Sequence, residues 1–160
     1  MTDENFYLTA YIKGDISSPN LNGIAYFKPF KDGVMVEVEV SGLPGYKSYE
    51  LFPIHIHDGK NCDLSSDGTF LNVGRHYNPT NTSHPYHAGD MPLLFSNSGY
   101  AYMKFYTTRF KIYDIEGKLV IIHEAISDNN AKTFGRKIGC GKIVRHHICL
   151  LYTSDAADDL

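Results

Sequence analysis

Gly33-Val-Met-Val-Glu-Val-Glu-Val40 is the stretch that decides the fold class of this chain. Side chains two apart on a strand point the same way, so Val34, Val36, Val38 and Val40 share one face, with Glu37 and Glu39 on the other. The pattern predicts a strand with one face on a core and one in water. Working outward, apolar or alternating runs recur at 7–13, 23–30, 51–57, 99–107 and 118–123. Turn clusters such as Ser18-Pro-Asn-Leu-Asn-Gly23 and Lys31-Asp-Gly33 separate them. Short strands at that spacing predict an all-β sandwich or barrel. Twelve tyrosines, nine phenylalanines and fourteen glycines agree, since aromatic residues favour strands and glycines favour turns.

At 160 residues the chain is one domain's worth, long enough to bury roughly two-thirds of its unfolded surface without help from a metal. A formal net charge of −3 with no basic cluster excludes nucleic acid and an anionic membrane surface as partners. Met1-Thr-Asp-Glu-Asn5 carries acid where a signal peptide needs base, and no apolar stretch approaches the ~20 residues of a membrane span. The expectation is a cytoplasmic protein with no membrane partner.

Six of the eight histidines fall in an ordered series with one aspartate: His55-Ile-His57, His76-Tyr-Asn-Pro79, His84, His87-Ala-Gly-Asp90 and His123. That is ligand enough for two metal ions, because imidazole suits zinc and copper and a carboxylate completes a tetrahedral zinc site. His55 and His57 share a strand face and can approach one ion together. His84, His87 and Asp90 come from one segment that can wrap another, with His76 as a fourth ligand. The alternative for each group is plain: an incidental pair on a strand, and a solvated polar loop. Between His57 and Gly99 the sequence is rich in Gly, Asn, Ser, Asp and Pro with no sustained period, and is predicted to be a long loop ordered by metal, ligation replacing a core. Cys62, Cys140 and Cys149 form no Cys-x-x-Cys pair, so on the residues alone they read as structural thiols.

From Arg145 onward the composition changes. Cys149-Leu-Leu-Tyr-Thr-Ser-Asp-Ala-Ala-Asp-Asp159 reads like translated sequencing-adapter sequence. The expectation is a domain over 1–144 and a foreign or disordered tail over 145–160, which removes His146, His147 and Cys149 as ligands.

With His76-Tyr-Asn-Pro-Thr80, His84-Pro-Tyr-His-Ala-Gly-Asp90, Pro92–Asn97, His123 and Cys140-Gly141 in place, the chain from about Tyr7 to Val144 resembles the Cu,Zn superoxide dismutases, nearest a bacterial branch. The resemblance implies an eight-stranded Greek-key β-barrel or immunoglobulin-like sandwich with long metal-binding loops. It implies copper on His55, His57, His76 and His123, zinc on His76, His84, His87 and Asp90, and a Cys62–Cys140 disulfide. His76 would bridge the two metals and carry a proton to the departing peroxide. Superoxide is the implied substrate, and a homodimer is a possible assembly. A cupin also begins with His-x-His and a carboxylate, but that family leaves His76, His84 and His87 unexplained.

Two positions depart from the family pattern. Three residues before Cys140, where the family usually keeps an arginine, stands Lys137, with Arg136 one place off. Lysine supplies charge without the guanidinium fork, which predicts a slower enzyme and not a dead one. Four residues after His123, where the family often has an aspartate, stands Ser127, followed by Asp128. Two readings of function follow: catalysis of superoxide dismutation, or a non-catalytic module of the same fold that binds zinc or copper.

Overall fold

The computed structural model describes residues 5–45, 49–127 and 135–148. Among the described residues, nine strands and one short helix run in the order β1 (Phe6–Gly14), β2 (Asn22–Phe30), β3 (Gly33–Ser41), β4 (Tyr49–Phe52), β5 (Ile54–His57), β6 (Leu94–Asn97), β7 (Ala101–Thr107), α1 (Ile112–Ile115), β8 (Leu119–His123) and β9 (Lys137–His147). Seven form a curled antiparallel sheet in the order β5-β8-β9-β1-β2-β3-β7, and β4 pairs with β6. The chain leaves β3 through β4, β5 and β6 and returns as β7 beside β3, a Greek-key connection. The architecture is the expected all-β barrel.

Where eight strands were expected there are nine, because Pro53 divides the run 51–57. With no N–H to give a ladder, it separates β4, which pairs with β6, from β5, which pairs with β8. β4 thus continues from β5 at one edge of the large sheet, and β6 joins β7 at the other through the two-residue turn closed by Asn97 and Tyr100, so the β4–β6 ladder bridges both edges. β6 itself lies in the stretch expected to be loop.

The core confirms the valine face: Val34, Val36, Val38 and Val40 are fully buried, with Phe27, Phe52, Ile54, Ile56, Val120, Ile122 and Ile143. A second apolar cluster sits outside the barrel, where Phe70 and Val73 of the long loop pack on Leu119, Ile121 and the Cys62–Cys140 disulfide. The loop after His57 is therefore anchored by its own small core as well as by polar ligands, a correction to a loop ordered by metal alone. Phe70 and Val73 are isolated apolar residues with no period, so pattern reading passes over them. The disulfide, spanning 78 residues with Cα atoms 5.7 Å apart, replaces the thiol reading.

β9 runs three residues beyond the expected boundary at Val144. Arg145, His146 and His147 pair with Leu8, Tyr7 and Phe6. The Arg145 guanidinium lies 4.1 Å from the Phe6 ring and bonds Glu116, while His146 stacks on Tyr7 and meets the Thr9 hydroxyl at 2.7 Å. Partners on β1 hold these residues in a strand that their own composition does not announce. Cys149 and the rest of the tail lie outside the described residues.

Candidate metal centre

Both β5 and β8 bury every residue, yet only alternate ones can reach the barrel core. Ile54, Ile56, Val120 and Ile122 take the inside. His55 and His57 are left facing outward, and a register shift between Ile122 and His123 brings His123 alongside. What buries them is the long loop. It returns twice to the free edge of β5: the Tyr77 N–H donates to the Ile56 carbonyl at 2.7 Å and the Ile56 N–H donates to the Gly89 carbonyl at 2.8 Å. These contacts set His76 beside His57 and Asp90 beside His55. Gly89 is needed for this approach, since a Cβ there would stand 2.4 Å from the Ile56 carbonyl oxygen.

Two clusters result. His55, His57, His76 and His123 bring four ring nitrogens within 4.8 Å of one another. The Nδ1–H of His57 donates to the Gly74 carbonyl at 3.0 Å and that of His123 to the Gly135 carbonyl at 2.8 Å, because a carbonyl can only accept. This fixes the tautomer, with Nε2 of each ring unprotonated and turned inward. Nε2 of His57 is buried with no hydrogen-bond partner, and Nδ1 of His55 and Nε2 of His123 are equally buried. Gly74 holds its carbonyl in place at φ +75°, where an added Cβ would also strike Asp58.

The second cluster gathers around Asp90. Nδ1 of His76, His84 and His87 lie 3.0, 3.1 and 3.2 Å from its carboxylate, and Nδ1 of His76 and His87 are 3.1 Å apart. A tetrahedral ion with ligands at 2.0–2.1 Å has edges of roughly 3.3 Å, so these spacings could accommodate one. His55 borders this cluster as well, its Nε2 4.0 Å from Asp90 and a ring nitrogen within 4.8 Å of those of His76 and His84. His76 is common to both. The donor set therefore fits two ions, one among imidazoles alone and one with three imidazoles and a carboxylate.

Burial keeps the first cluster neutral. Desolvation lowers His57 to about 3 and His123 to about 4, and pushes His55 and His76 below the ordinary histidine value; neighbouring imidazoles add to the effect. Bare nitrogens at neutral pH are what a cation needs.

An open cavity of about 690 Å³ leads to the clusters, walled by His57, His76, His87 and His123 and by Arg75, Lys118 and Lys137. Lys137 faces it from the start of β9, and its charge is felt by His57 and His123. Arg136, just before the strand, instead pairs with Asp15 at 3.3 Å. Ser127 is exposed, and Asp128 lies outside the described residues. Arg75 and Lys118 went unnoticed in the sequence, though each directly precedes a cluster-bearing segment. The orienting carbonyls of Gly74 and Gly135 carry no side-chain signal at all.

Fold and site together define a class of protein: a Greek-key barrel that carries, on its outer wall, clustered histidines and an aspartate able to hold metal ions. The family described as copper/zinc superoxide dismutase (SODC) matches residues 21–143, and the chain belongs to that family. It is 29% identical over 143 residues to "Superoxide dismutase [Cu-Zn]" of Deinococcus radiodurans, covering 76% of each chain. Its fold superposes on "Cu/Zn superoxide dismutase from Brucella abortus" with a TM-score of 0.67 at 21% identity, covering 85% of this chain and 98% of the other.

Proposed function

We propose that this protein is a superoxide dismutase that holds copper on His55, His57, His76 and His123 and zinc on His76, His84, His87 and Asp90. The observation that carries the reading is the position of His76 in both clusters, one imidazole offered to two cations. When bound, copper supplies the one-electron exchange by which two superoxide ions and two protons become dioxygen and hydrogen peroxide. The chain's own contribution is positioning and charge. Gly74 and Gly135 aim His57 and His123. Asp90, an acceptor in contact with three Nδ1 atoms, pins the second cluster, so that His76 keeps its ring in place through Nδ1 and uses Nε2 to take up a proton and pass it to the departing product. Lys137 draws the anion into the cavity in a protein whose net charge repels it.

Loading the full chain with both metals and measuring metal content and dismutase rate tests this. The expected result is one copper and one zinc per chain with turnover well above that of free buffer. Full copper without turnover would leave a metal-binding module of the same fold. Zinc without copper would overturn the copper site.

A further inference from the structure

Arg109 stands just beyond β7, away from both clusters in sequence and outside the cavity wall. Its backbone is fixed: its N–H donates to the Thr107 hydroxyl at 3.2 Å, and the next residue, Phe110, is buried in the core against Phe27. From that base its Nη1 donates to the Pro85 carbonyl at 2.8 Å and to the Asp90 carbonyl at 3.4 Å. Those carbonyls lie next to His84 and on Asp90, at the two ends of the segment 84–90 that supplies three of the four groups in the second cluster. The inner end of that segment is also held to β5 through Gly89. The outer end carries His84, whose side chain is the most exposed of the cluster at 36%. Guanidinium N–H groups donating to two carbonyls at once set the span of the segment, and with it the approach of His84 to Asp90.

We infer that Arg109 is a positioning residue for the second metal site, clamping the segment 84–90 so that His84, His87 and Asp90 meet one ion. The inference rests on the proposed zinc site. Charge and geometry make opposite predictions here. A cation beside a site for a dication opposes binding, so if Arg109 acted through its charge, removing it would tighten the ion. A clamp predicts the reverse.

The test measures the zinc dissociation constant of the full chain by competition with a colorimetric chelator, comparing wild type, Arg109→Met and Arg109→Lys. The clamp predicts a ~10-fold or greater loss of affinity in Arg109→Met, of the size that losing a group behind a metal ligand typically brings, and substantial recovery in Arg109→Lys, whose ammonium still donates. It also predicts that copper uptake by the first cluster and the melting temperature of the metal-free protein change little. Equal or tighter zinc binding in Arg109→Met overturns the clamp, as does a fall in metal-free stability large enough to account for the loss. Failure of the wild type to bind zinc at all refutes the site itself, a distinct result.

Discussion

His123 belongs to one cluster only, and this makes it the cleanest single-residue probe. His123→Ala removes one nitrogen from the first cluster and leaves His76, His84, His87 and Asp90 in place. The expected outcome is loss of copper and activity with zinc retained, read by metal analysis; equal loss of both would deny two separate sites. Lys137 bears on rate. Lys137→Gln should lower kcat/KM several-fold and flatten its dependence on ionic strength, whereas Lys137→Arg should raise it, because steering of an anion depends on local positive charge. A rate indifferent to both changes would reduce Lys137 to a solvated surface charge. Of these residues the histidines were legible in the sequence by type and spacing. Arg75, Lys118 and Arg109 were not, since a lone cation on a surface carries no pattern until the fold shows what it faces.

At the scale of elements, the long loop after His57 has three anchors: the edge of β5, the cluster of Phe70 and Val73, and the Cys62–Cys140 bond. Cys62→Ser with Cys140→Ser removes a cross-link over 78 residues, for which the chain-entropy account gives about 4–5 kcal/mol of stability. Denaturant unfolding of the metal-free double variant should show a loss of that order, and a loss below about 1 kcal/mol would mean that the apolar cluster alone holds the loop. The same anchors explain which elements the sequence announced. β3 and β7 alternate in water and core and are plain to read. β6 has only four residues inside a polar stretch, and the last three residues of β9, Arg145–His147, are ordered by their partners on β1. Neither carries a period long enough to distinguish it from a loop.

For the molecule as a whole, burial of the first cluster ties stability to pH. His57 and His123 have folded values of about 3 and 4 against an ordinary 6.5, and His55 and His76 are displaced the same way. Below pH 6.5 the unfolded chain binds protons that the folded chain refuses. The stability of the metal-free protein is thus full above that pH and falls as pH drops toward 4, by at most about 1.4 kcal/mol per pH unit for each such histidine. Denaturant midpoints of metal-free protein at pH 7 and pH 5 check this; a midpoint as high at pH 5 would contradict neutral, buried imidazoles. The sequence by itself determined the fold class and the residues that could hold a metal, because alternation and residue chemistry are local properties. Only the tertiary structure decided that His76 stands between two clusters, that Gly74 and Gly135 aim the rings, and that Lys137 rather than Arg136 faces the cavity. Those are relations between segments up to 80 residues apart, made when β5, β8 and a returning loop share one edge of a curled sheet.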